Sequence, residues 1–128
     1  MLQLPVTSIT AAIATLGLVI LSFLVSLGRM KAKVLIGDGG VEMLLRRVRA
    51  QGNFIEYVPI GLVLLGLLEA SGAGRGLLIG VAVALGLGRL AHAIGMYAGS
   101  LPLRGIGQMT TYLSILTAAG ALVAAYAG

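Results

Sequence analysis

The sequence contains no cysteine and no tryptophan, and it has one histidine and four acidic residues among 128. Without cysteine there is no disulfide framework and no thiolate-ligated metal. One histidine and four acids do not make a metal cage either, so no metal is expected. Charged residues are 10% of the chain, against about a quarter in soluble domains. Aromatic residues are 5%, and the nine basic residues do not alternate with them on one exposed face. Nucleic acid is therefore not expected as a partner, despite a net charge of +5. Hydrophobic residues reach 59%, which excludes a disordered chain. A soluble globule of this length lacks the interior to hide that much apolar surface. The mean hydropathy of +1.06 points to one all-α domain, 1–128, embedded in a membrane.

The apolar residues fall into runs. Met1 to Gly28 carries no charge, and Gly105 to Gly128 carries none. A bilayer-crossing helix needs about 20 such residues. The first run lacks the basic start and the small-residue cleavage site of a leader, so it reads as a span. Pro5 suits a first helical turn. Basic residues and turn residues mark the breaks: Arg29 to Lys33 followed by Gly-Asp-Gly-Gly, then Glu69 to Arg75, then Gly99 to Pro102. The pattern predicts a four-helix bundle with helices at 5–28, 41–69, 76–98 and 106–127. Gly80, Ala84 and Gly88 are spaced by four, as are Ala91, Gly95 and Gly99. Such rows let membrane helices approach closely.

Basic residues also set the expected orientation. Loop one and the start of helix two hold Arg29, Lys31, Lys33, Arg46, Arg47 and Arg49, and loop three ends with Arg104. Loop two holds only Arg75. Loops one and three are thus expected on the cytoplasmic side, and both termini on the other.

Polar residues inside the spans are the functional signal. At 100° per residue Arg49, Asn53 and Glu56 fall at about 0°, 40° and 340°, a narrow stripe on helix two. Arg46 and Tyr57 flank it. Glu56 lies about 10 Å deeper than Arg49 along the helix. A carboxylate at that depth needs a partner, and the choices are Arg49, an arginine from another helix, or a ligand ammonium. Arg89, His92 and Met96 share a face of helix three, with Tyr97 nearby, and Arg89 is placed to meet Glu56 across the bundle. Pro59, inside helix two, is expected to kink it and free a carbonyl beside the stripe. The stripe can also be read as an ion pair that only joins helices. As a site, arginines, an amide, a carboxylate and tyrosines suit a small zwitterion. Glutathione fits that chemistry, and so do other peptides and amino acids.

The run Arg49-Ala-Gln51-Gly-Asn53-Phe-Ile-Glu56-Tyr57-Val-Pro59 resembles the helix-two signature of the MAPEG family, the membrane-associated proteins in eicosanoid and glutathione metabolism. The helix-three pattern Arg89-Leu-Ala-His92-Ala-Ile-Gly95, followed by Arg104, is a second similarity. Size, four spans, the basic first loop and the Gly-Asp-Gly-Gly turn resemble small bacterial members. The resemblance implies a homotrimer in a bacterial inner membrane, with glutathione as co-substrate bound between subunits near the cytoplasmic face. It implies that Arg49, Asn53 and Glu56 grip glutathione, with Gln51, Tyr57, His92, Tyr97 and Arg29 as further contacts. It implies that Arg104 faces the thiol and stabilises the thiolate, which attacks a lipophilic acceptor dissolved in the bilayer. The expected activity is glutathione transferase or peroxidase. The short first loop gives no reason to expect an eicosanoid acceptor. Two other readings stand beside this one: a glutathione or lipid binder without turnover, and a four-helix transporter that uses Glu56 as its coupling acid.

Overall fold

A computed structural model describes residues 1–128. Every regular element is an α-helix: α1 Pro5–Ala32, α2 Glu42–Ala70, α3 Arg75–Ala98 and α4 Leu101–Ala127. Each is long and apolar enough to cross a membrane. Large apolar side chains such as Ile9, Ile13, Leu16 and Phe23 on α1 and Leu113 and Leu116 on α4 point outward. That inversion of the soluble pattern is what a lipid solvent favours.

Two boundaries differ from expectation. α1 continues to Ala32 instead of stopping at Gly28, because Arg29 and Lys31 in its last turn complement the helix dipole. It ends where Lys33 adopts a left-handed conformation (φ 56°). α4 starts at Leu101 rather than near 106. The Ser100 hydroxyl accepts a hydrogen bond from Leu103 N (3.3 Å), and Pro102 sits in the first turn, where a missing N–H costs nothing. Arg104 is therefore mounted on a helix, not on a loop. α2 runs unbroken through Pro59, which leaves the Ile55 carbonyl without its usual helical donor.

The α3–α4 pair packs closest. A Cβ on Gly95 would lie 2.6 Å from Arg104 N. One on Gly107 would lie 2.6 Å from the Gly88 carbonyl oxygen and 2.9 Å from His92 Cα. Glycine is required there because the backbones themselves are in contact. Of the expected small-residue rows, Gly88 and Gly95 serve this contact. Gly80 faces open space, and Gly99 instead caps α3 with φ 68°.

The cores lie at two heights. Leu65, Leu68, Leu78, Val81 and Ala118 form one cluster, and Leu21, Ala50 and Met96 form the other, nearer the basic end. At the opposite end the Glu69 carboxylate accepts hydrogen bonds from Val6 N (2.9 Å) and Thr7 N (2.8 Å). A residue of α2 thus caps the start of α1, satisfying two backbone donors that no side chain of α1 satisfies.

Candidate functional site

The C-terminal halves of α1 and α3 and the N-terminal halves of α2 and α4 meet at the basic end of the bundle. Arg89 organises the polar groups there. It is 3% exposed. Its Nε donates to Thr111 Oγ1 (2.9 Å), Nη2 donates to Gln108 Oε1 (3.1 Å), and Nη1 donates to the Asn53 side-chain oxygen. Its guanidinium also lies 5.1 Å from the centre of the Tyr57 ring, within cation–π range. The Tyr57 and Tyr112 hydroxyls are 3.2 Å apart. One buried cation thus joins α2, α3 and α4.

This arrangement corrects one expectation. Arg89 does not pair with Glu56. All of its nitrogens are taken by neutral oxygens, which satisfy a buried guanidinium with no second charge to desolvate. Glu56 instead faces outward from α2 with Arg49. Arg49 Nη1 and Glu56 Oε1 are 4.0 Å apart, and the side chains are 55% and 52% exposed. Glu56 lies about 20 Å along α2 from its first residue, at membrane depth. A half-exposed carboxylate there is costly against lipid, so this face of α2 calls for a polar cover.

The structure sorts the sequence-predicted residues into two groups. Arg49, Asn53, Glu56 and Tyr57 form the outward face of α2 and its border with α4. Arg104 lies against α3 one turn from buried His92, where a Cβ on Gly95 would stand 2.8 Å from Arg104 Cγ, so it is placed with this group. Arg29, Gln51 and Tyr97 lie apart from it within one chain. Gln51 Nε2 donates to Ser22 Oγ on α1 (2.8 Å), on the far side of α2 from Glu56. Arg29 Nη1 donates to the Gly37 carbonyl in the first loop. Tyr97 sits beside α1, with the Arg47 guanidinium 6.0 Å from its ring centre. Helical phase explains the separation: Tyr97 is about 140° from His92 around α3, and Gln51 is about 140° from Glu56 around α2.

Sequence reasoning did not single out Gln108, Thr111 and Tyr112, because the last span carries no charge to draw attention. The i, i+3, i+4 spacing of a glutamine, a threonine and a tyrosine in an apolar helix was the available signal.

The MAPEG family pattern matches residues 7–124. The chain belongs to the MAPEG family. It is 33% identical over 111 residues to the inner membrane protein YecN of Escherichia coli strain K12, covering 87% of this chain and 85% of that one. The YecN protein of Escherichia coli O6:H1 is equally similar. No solved structure matches the chain. The matched region includes α2 and α3 whole, all but the outer ends of α1 and α4, and every residue of the polar cluster around Arg89.

Proposed function

We propose that this integral membrane protein is the subunit of a glutathione-dependent enzyme, a transferase or peroxidase for lipophilic electrophiles, in a bacterial inner membrane. The observation that carries the reading is the open Arg49–Glu56 pair. A zwitterionic ligand would complete it, with a ligand carboxylate on Arg49 and a ligand ammonium on Glu56. Family membership supports glutathione as that ligand, since it supplies two carboxylates and one ammonium.

The two groups of candidate residues support a site shared between subunits. Arg49, Asn53, Glu56, Tyr57, His92 and Arg104 make one half-site. Gln51 and Arg29 lie on the α1 side, pointing to a second half-site. In a closed ring of identical subunits, the first half-site of one copy meets the second half-site of its neighbour. The homotrimer implied by the family resemblance is such a ring, and it would also cover the Arg49–Glu56 face. The excess of basic residues at this end would direct the site to the cytoplasm, with both termini on the other side.

The chemistry requires no protein thiol. A free thiol has a pKa near 8.5, so little thiolate exists at neutral pH. Arg104 stabilises the anion as the thiol proton leaves to solvent. With an alkylating acceptor, sulfur forms the new C–S bond and the leaving group departs with the bonding pair. With a hydroperoxide, sulfur attacks the distal oxygen, the O–O bond breaks and the alkoxide takes a proton to give an alcohol. The resulting glutathione sulfenic acid condenses with a second glutathione to give disulfide and water.

Titration of the detergent-purified protein with glutathione, read by the ultraviolet band of the thiolate, tests the reading. A saturable thiolate band at neutral pH is expected. Saturable binding without the band would leave a binder without turnover. Absence of binding would overturn the assignment. A transporter with Glu56 as coupling acid is the less favoured reading, because Arg49 stands 4.0 Å from that carboxylate on the same face of α2.

A further inference from the structure

On the side of the bundle away from the Arg49–Glu56 face, α1 and α3 leave an apolar groove of about 490 Å³. Leu21, Leu24, Ala93, Ile94, Tyr97 and Ala98 line it. Arg47 closes its basic end. This side chain starts on α2 and passes under α1 at Gly28, where a Cβ would stand 3.0 Å from Arg47 Cδ. Its Nη1 donates to the Leu24 carbonyl (2.7 Å), and its guanidinium reaches the Tyr97 ring. Its Nε is buried without a hydrogen-bond partner. Arg46 lies against Gly99, one residue beyond the groove's Ala98, and already pairs with Glu42. Arg47 has no carboxylate partner.

We infer that this groove is a binding site for an anionic phospholipid. One acyl chain lies along Leu21, Ala93 and Ile94, and the headgroup phosphate meets Arg47. At membrane depth a groove with only apolar walls is filled by hydrocarbon, not water. Basic pockets between helices at the membrane surface select anionic headgroups. A guanidinium already held by a backbone carbonyl on one nitrogen presents its remaining donors in a fixed direction, so little side-chain freedom is lost on binding phosphate. The site is separate from the glutathione reading and does not depend on it.

Native mass spectrometry of the delipidated protein tests this, with phosphatidylglycerol and phosphatidylcholine of identical chains offered in equal amounts. The wild-type protein should retain phosphatidylglycerol in preference, by about fivefold. Arg47→Lys should keep most of that preference, and Arg47→Gln should lose about fivefold of it. Ala98→Trp, at the mouth of the groove, should reduce retention of both lipids while the circular-dichroism melting curve stays cooperative. Ala98→Trp also decides the matter if Arg47→Gln does not fold. Equal retention of the two lipids by the wild type would overturn the inference, and so would undiminished retention by Ala98→Trp. Stabilisation by inorganic phosphate equal to that by phosphatidylglycerol would overturn it as well, by removing the acyl chain from the interaction. Disulfide cross-linking of two Ile94→Cys copies would assign the groove to a second subunit instead.

Discussion

Arg89 on α3 donates to the side-chain oxygen of Asn53 on α2, so one residue of the polar stripe is held from within the bundle before any ligand arrives. The bond fixes the Asn53 amide plane and turns its NH2 group away from Arg89. Asn53 is thus half a structural residue and half a donor available to a ligand.

Arg89→Met should remove the hub and leave the part-buried side-chain oxygens of Asn53 and Gln108 without their donor, while Thr111 Oγ1 keeps only its bond to the Gly107 carbonyl (2.9 Å). A loss of about 1–3 kcal/mol is expected in unfolding measured in bicelles. Asn53→Ala alone should cost less, and the double variant should show coupling of about 0.5–3 kcal/mol. Additive effects would mean that the two side chains do not act together.

Glu69→Gln should weaken the cap on α1 by replacing a charged acceptor with a neutral one, and Glu69→Ala should remove it. The alanine variant is expected to lose about 1–2 kcal/mol of stability. Hydrogen exchange should rise at the Val6 and Thr7 amides and remain unchanged at the basic end. Uniform loss of protection across all helices would contradict a local role.

Arg49→Gln and Glu56→Gln should each weaken glutathione binding by about 10- to 100-fold, the cost of leaving a charged ligand group unanswered. Isothermal titration in detergent measures this. Retained stability with lost affinity separates a ligand site from a helix-joining ion pair. Near-normal affinity in both variants would remove them from the site.

Arg104→Ala should raise the pKa of the bound thiol, because a nearby cation favours the thiolate and its loss favours the protonated form. The ultraviolet thiolate titration should move up by about 1–2 pH units, with little change in affinity. Activity at neutral pH should fall and recover as pH rises. An unmoved titration would place thiol activation on another group, and His92 and Arg49 are the neighbours to test next.

The spans were readable in the sequence because charge is scarce, and each basic run marks a helix end. The start of α4 was misread for a physical reason. Gly99-Ser-Leu-Pro has the composition of a turn, yet only Gly99 and Ser100 lie outside the helices, and Ser100 serves as a cap. The stripe of Arg49, Asn53 and Glu56 followed from helical phase alone. The partner of Arg89 did not. A search for opposite charge finds only Glu56, whereas the bundle answers the guanidinium with an amide, a second amide and a hydroxyl. Gln51, Arg29 and Tyr97 look adjacent to the site along the chain, but the turn of each helix and the first loop carry them elsewhere. In the ring proposed above, a neighbouring copy would bring Gln51 and Arg29 back to the site, and that information is not local to any segment.

α1 has only Leu21, Val25 and Gly28 buried, so greasy surface alone would let it slide along its neighbours. It is keyed instead at three levels: Glu69 on Val6 and Thr7, Gln51 on Ser22, and Arg47 on the Leu24 carbonyl. A shift of one turn, about 5.4 Å, would break all of these together. The first helix therefore has a single vertical register, written in polar side chains of α2 that meet two backbone amides, one hydroxyl and one carbonyl of α1.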